Sequence, residues 1–257
     1  ITTLADELDR PVSRADLTDA IVDAFAEAVH VAHGTFDRSG FMIRVFDTEW
    51  PSRALKQRIR HITLALHDLL GVDYRDALEI LRGFRSESVE GIIRWVLTDY
   101  VEVYGLDDWE ASMPALEEFT RQFSAEFAIR PFIVRYPERT MAQMLAWAGH
   151  SHPDVRRLAS EGCRPRLPWG IALPNLQADP SPILPILDQL KDDESETVRR
   201  SVANNLNDIS KDHPEVVVEV KQAQSGGEQT APETGSAGAA TPEPPGDGSD
   251  EEADRAG

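Results

Sequence analysis

The sequence predicts an all-α protein, an α-α superhelix of stacked helical repeats followed by a disordered acidic tail. Three observations predict it. Apolar residues recur at three- and four-residue intervals in segment after segment, and no segment sustains the strict alternation of a half-buried strand. The strings "HPDVRRLASEG" and "SETVRRSVANN" share a V-R-R-x-A/V core, with Val155 and Val198 separated by 43 positions. From Lys221 to Gly257 there is no Val, Leu, Ile or aromatic residue, and from Gln222 onward eight acids face one arginine. Such a stretch cannot bury enough apolar surface to offset its ordering entropy.

In chain order, the helical pattern occupies "LTDAIVDAFAEAVHVA", "ALKQRIRHITLALHDLL", "YRDALEILRGF", "VEGIIRWVLTDYVEVYG" and "PALEEFTRQFSAEFAIRPFIVRY", the last spanning 114–136 as one run. Each half of the internal echo is preceded by another amphipathic segment, "RTMAQMLAWAG" before the first and "SPILPILDQLKDD" before the second. A helix pair recurring at this period is the unit of HEAT-like repeats, which stack because no single pair can bury its apolar face. Pro153 and Asp154 suit the first turn of one helix, as Ser195 and Glu196 suit that of the other. Gly162 is expected to end the first as a left-handed cap.

Projected at 100° per residue, Val155, Leu158, Ala159 and Gly162 form the packed stripe. Arg157, Glu161 and Arg164 fall together on another side, so a carboxylate flanked by guanidiniums is expected to face outward. In the second helix Val198, Val202, Leu206 and Ile209 form the apolar stripe, with Ser201, Asn205, Asp208 and Asp212 alongside. Short amides and carboxylates compete for backbone hydrogen bonds, so "NNLND" is there for a reason other than helical propensity.

The formal charge of -19 argues against a polyanionic partner on average, but the average conceals a basic island. Between Arg130 and Gly170 lie seven arginines, Arg130, Arg135, Arg139, Arg156, Arg157, Arg164 and Arg166, against Glu138, Asp154 and Glu161. The single cysteine, Cys163, excludes an internal disulfide framework and fits a reducing cytoplasm. The acidic opening lacks the basic and apolar regions of a signal peptide, and no apolar run approaches a membrane span. Cys163 has no visible base partner and reads as an inert small residue. The histidines at 150–152 and His213 lack metal-site spacing and read as helix-junction residues. Trp95, Trp109 and Trp147 fit apolar helix faces. No phosphate-binding glycine loop is present.

The strings "SAEFAIRPFIVRYPERTMAQMLAWA", "VRRLASEGCRPRLPW" and "VRRSVANNLNDISKDHP" resemble the bacterial DNA alkylation repair glycosylases built from HEAT-like repeats, specifically the AlkC branch. "DRSGFM" and "LKQRIRHI" fit its amino-terminal helices, and the resemblance runs from about Leu17 to Val220. It implies a repeat glycosylase domain over 1–220 and a tail over 221–257. It also implies excision of positively charged alkylated bases of the 3-methyladenine type from duplex DNA, without a base-flipping pocket, cofactor or metal. By motif, Glu161, Asp208 and Glu126 match the catalytic carboxylates, and Trp169 an aromatic that contacts the sugar and backbone at the lesion. Arg157, Arg164 and Arg166, with Arg130 and Arg200, would hold phosphates. The implied protein is a monomer, cytoplasmic and nucleoid-associated when acting on DNA. After "KDHPEVVVEV" the family continues with further repeat helices, and in some members an immunoglobulin-like domain; here the acidic segment follows. The competing readings are a non-catalytic protein-binding scaffold and a DNA-binding relative without catalysis. Their ordinary counterparts at residue level are a surface ion pair for Arg157 and Glu161, solvating acids for Asp208 and Glu126, and inter-repeat packing for Trp169.

Overall fold

In a computed structural model that describes residues 13–83, 89 and 91–218, helices begin where short polar side chains can take up free backbone amides. Thr18 accepts from Ile21 N to open α1 (Asp19–Ala32), Asp37 from Gly40 N to open α2 (Arg38–Val45), and Asp73 from Asp76 N to open α4 (Tyr74–Arg82). Between them lies α3 (Leu55–Leu70). The chain continues through α5 (Trp95–Tyr104), α6 (Trp109–Phe119), α7 (Ile129–Arg135), α8 (Pro137–Ala148), α9 (Pro153–Glu161), the short α10 (Pro174–Ala178), α11 (Leu184–Leu190) and α12 (Glu196–Ile209). All regular structure among the described residues is helical, as the 3.6-residue periodicity predicts. The predicted tail over 221–257 lies outside them.

Helices adjacent in the chain pack together, such as α1 with α2 and α5 with α6, and so do alternate ones, such as α3 with α5. The echo marks this directly: α8 and α9 pair, α11 and α12 pair, α8 meets α11, and α9 lies along α12. One apolar core runs continuously from Phe25 and Phe41 through Ile62, Leu66 and Trp95 to Leu158, Val198 and Ile209. The chain is thus a helical repeat stack, and the described residues through Val217 belong to one compact unit. None of the described helices is long and apolar enough to cross a membrane.

Three local expectations are corrected. The run over 114–136 is two helices, α6 and α7, because Thr120 Oγ1 accepts from Ala125 N and the chain turns through 120–128. The periodicity survives that break because Phe123 and Phe127 still stack on Trp95. An apolar period reports which side is covered, not whether backbone bonding continues. Gly162 follows α9 with a right-handed backbone, φ -64° and ψ -31°. Its requirement is steric, since a Cβ there would lie 2.6 Å from Ile129 Cγ2. Trp109 is only half-buried and has the Arg139 guanidinium 3.7 Å from its ring centroid, whereas Trp95 and Trp147 are core.

Candidate functional site

Where α9 lies along α12, the seam is polar. Ser160, Glu161, Ser201, Asn205 and Asp208 are all buried, with Glu161 5% and Asp208 2% exposed. This accounts for the poor helix formers in α12: Asn205 Nδ2 donates to Ser160 O at 2.8 Å, and Ser201 Oγ donates to Glu161 Oε2 at 2.6 Å. Glu161 therefore does not face outward as its helix projection suggests. A single-helix projection separates the apolar stripe from the rest but cannot say that the next repeat covers part of the polar side.

The carboxylates form a continuous alternating array with two arginines. Arg164 donates from Nη1 to Glu161 Oε1 at 2.6 Å and from Nε to Asp208 Oδ2 at 3.0 Å. Arg157 places Nη2 2.9 Å from Glu126 Oε2 and 3.9 Å from Glu161 Oε1, while its Nη1 donates to Ser124 Oγ. Glu126 sits in the turn before α7, and Ser124 Oγ donates to it at 2.8 Å. The order Glu126, Arg157, Glu161, Arg164, Asp208 joins residues from three stretches of sequence. Three negative and two positive groups leave one net negative charge, which Lys211 approaches by donating to Asp208 Oδ1 at 2.9 Å. Opposite charges held this close in a partly dry seam interact more strongly than the same pairs in water. The carboxylates raise the affinity of both guanidiniums for their protons, against the opposing effect of burial.

Arg166 is placed on the rim, where its Nε and Nη2 fork onto Asp212 at 3.0 and 2.7 Å. Arg200 is exposed and pairs with Glu196 one turn back, on the open side of α12 beside Asn204, Asn207 and Lys211. Arg130 cannot hold a phosphate. It is fully buried, with Nη1 donating to Gly162 O and Arg164 O and Nε to Ile171 O, while Nη2 has no partner. Burial pushes its pKa down to about 10, with Arg164 adding to the effect. Its work is to tie together both ends of the loop 162–171, and Gly170 accommodates it, since a Cβ there would meet Arg130 Nε at 3.0 Å. The outer arginines of the basic island are matched by acids from other elements: Arg135 by Asp107, Arg139 by Glu110, and Arg156 by Asp193.

Trp169 has φ 64°, the one non-glycine residue with a left-handed backbone among the described residues, and its side chain is largely exposed. A bulky aromatic in that region is strained, by about 1–3 kcal/mol for sparsely populated backbone conformations. Its carbonyl accepts from Lys56 Nζ at 2.9 Å, 113 positions earlier in α3. Lys56 also lies 4.4 Å from the Phe127 ring centroid, next to Glu126. Sequence reading missed Lys56, which stands in an ordinary amphipathic helix with no motif around it.

Other candidates fall away from the array. Cys163 is buried, burial pushes its thiol up to about 12, and it donates to Ala159 O. His150 and His152 order the α8 to α9 junction, His152 Nδ1 accepting from Asp154 N as the cap of α9. His213 contacts Gln177 O, and no metal-holding group of His, Cys, Asp and Glu occurs among the described residues.

A helical repeat protein with a buried array of acids and arginines, beside an exposed strained aromatic, is the class that fold and site define. No family model matches the chain. It is 46% identical over 202 residues to YhaZ of Bacillus subtilis (strain 168), an uncharacterized protein, covering 79% of this chain and 56% of that one. It superposes with a TM-score of 0.78 and 40% identity on the Pseudomonas fluorescens alkylpurine DNA glycosylase AlkC bound to DNA containing an abasic site analog, covering 81% of this chain and 58% of that chain. Over most of its length the chain thus shares its helical fold and two fifths of its residues with that AlkC glycosylase. It spans somewhat over half the length of these two relatives.

Proposed function

We propose that the protein is a DNA alkylation repair glycosylase that hydrolyses the N-glycosidic bond of positively charged alkylated bases, such as 3-methyladenine, in duplex DNA. The observation that carries this reading is the array itself: Glu161 and Asp208 share Arg164, Glu126 joins them through Arg157, and the loop that carries Arg164 also carries the exposed Trp169. The AlkC likeness supplies the DNA context.

An N3-alkylated adenine already carries the positive charge that lets it depart as a neutral base, so no general acid is needed. The sugar gains oxocarbenium character as the bond breaks, and fixed carboxylates beside it stabilise that charge and orient the attacking water. In the free protein the carboxylates are nearly neutralised by Arg157, Arg164 and Lys211. Phosphates of a bound duplex compete for those cations through forked hydrogen bonds, which returns negative charge to the acids where the sugar needs it. Arg166 and Arg200 on the rim add contacts that position the backbone without reading sequence.

Base release from methylated duplex DNA in single-turnover conditions tests the reading. The full chain should release 3-methyladenine in the presence of EDTA, and Glu161→Gln or Asp208→Asn should slow release on the order of a hundredfold, as removal of a single electrostatic stabiliser does elsewhere. Duplex binding without release would instead leave a DNA-binding relative without catalysis, and neither binding nor release would leave a scaffold.

A further inference from the structure

We infer that Lys56 is a positioning residue for Trp169, a bracket by which α3 holds the lesion-facing loop of 162–171 in its strained form; the inference rests on the glycosylase reading for its catalytic consequence. A left-handed backbone at tryptophan persists only where the surroundings over-determine it. Side-chain packing does not do so, because the residue is 63% exposed. The holding must come through the backbone, and two cations supply it. Arg130 fixes the loop on either side of Trp169 by donating to Arg164 O and Ile171 O. Lys56 takes the Trp169 carbonyl itself at 2.9 Å.

The position of Lys56 suits a bracket better than a structural ion pair. Its ammonium meets no carboxylate in ion-pair contact among the described residues, whereas Arg157, Arg164 and Arg166 are all matched by acids. Its second contact is the face of Phe127, the residue after Glu126, so the same ammonium spans the turn that carries one candidate carboxylate and the loop that carries the aromatic. Because α3 is remote in sequence from both, Lys56 couples the amino-terminal helices to the array.

Lys56→Met and Lys56→Arg, each with and without Trp169→Phe, provide the test, because the protein has five tryptophans and the difference spectrum isolates one. Lys56→Met should change the emission and acrylamide quenching of Trp169 with the melting temperature held. It should slow single-turnover base release about tenfold, as displacement of a positioned group does. Lys56→Arg should restore both signals, and the double variant Lys56→Met with Trp169→Ala should be no slower than Trp169→Ala alone. An unchanged Trp169 difference spectrum in Lys56→Met, or additive rate losses in the double variant, would overturn the assignment. Should the unaltered chain release no base, that failure belongs to the functional reading, and the fluorescence comparison alone decides the role of Lys56.

Discussion

Arg130 illustrates how one residue type serves two purposes on the same page of sequence. Arginines 157 and 164 lie against acids at the seam, while Arg130, from the same basic island, is spent on three carbonyl oxygens. Replacing it with methionine leaves the buried Gly162 carbonyl without this donor, a loss of about 1–3 kcal/mol, and removes two part-buried bonds besides, partly offset by removing a desolvated charge. Arg130→Met should therefore lower the melting temperature by about 5 °C or more, at roughly 2–4 °C per kcal/mol for a domain of this size. A phosphate contact would behave oppositely, with duplex affinity falling and the melting temperature unmoved, so thermal unfolding beside a binding titration separates the two roles.

At the scale of elements, the repeats are joined by charge as well as by apolar packing. Arg156 of α9 forks onto Asp193 before α12 and donates to His150 O and Ser151 O, while Arg199, its counterpart in the echo, donates to Asp193 O and Glu194 O. Burial raises the Asp193 carboxyl, but the Arg156 hydrogen bond and the Ser195 amide outweigh it and hold the pKa below the usual range. A lowered folded-state value means that the pair's contribution is complete above the unfolded value of about 3.9 and is lost as pH falls through the folded one. Asp193→Asn should thus cost about 1.5–3 kcal/mol near neutrality, the range for hydrogen bonds to charged groups. In denaturant titrations the gap between the two proteins should close below about pH 4.

The rim pair is a second link between elements, joining the 162–171 loop to α12 and the turn that follows it. Arg166 is held by Asp212, and a duplex that uses Arg166 must displace that acid. Asp212→Asn should tighten duplex binding at low salt by about two- to fivefold, the equivalent of an exposed ion pair, and the difference should fade as salt screens it. Looser binding in that variant would show that Asp212 orients Arg166 instead of restraining it.

For the whole molecule, the net charge of -19 describes the chain and not the candidate interface. On the proposed reading a duplex must exchange with the acids already paired to the site's cations, so association should depend on ionic strength. Repeat stacking sets the frame for this, since α9 and α12 pack against each other and bring Glu161 and Asp208 onto the same Arg164 guanidinium.

The amino-acid pattern alone determined the helical class, the two repeat copies and the V-R-R echo, because those depend on local periodicity and on spacing within one helix. The resemblance to the AlkC branch pointed to Glu161, Asp208, Glu126 and Trp169, and the polar stripe on α12 marked Asp208 independently. Tertiary structure decided the rest: that the stripe is buried against α9, that Arg130 serves carbonyls, that the run over 114–136 breaks at Thr120, and that Lys56 meets Trp169. Each of these depends on which surface the neighbouring helix covers, and desolvation and partner choice are properties of pairs of elements that no single helix encodes.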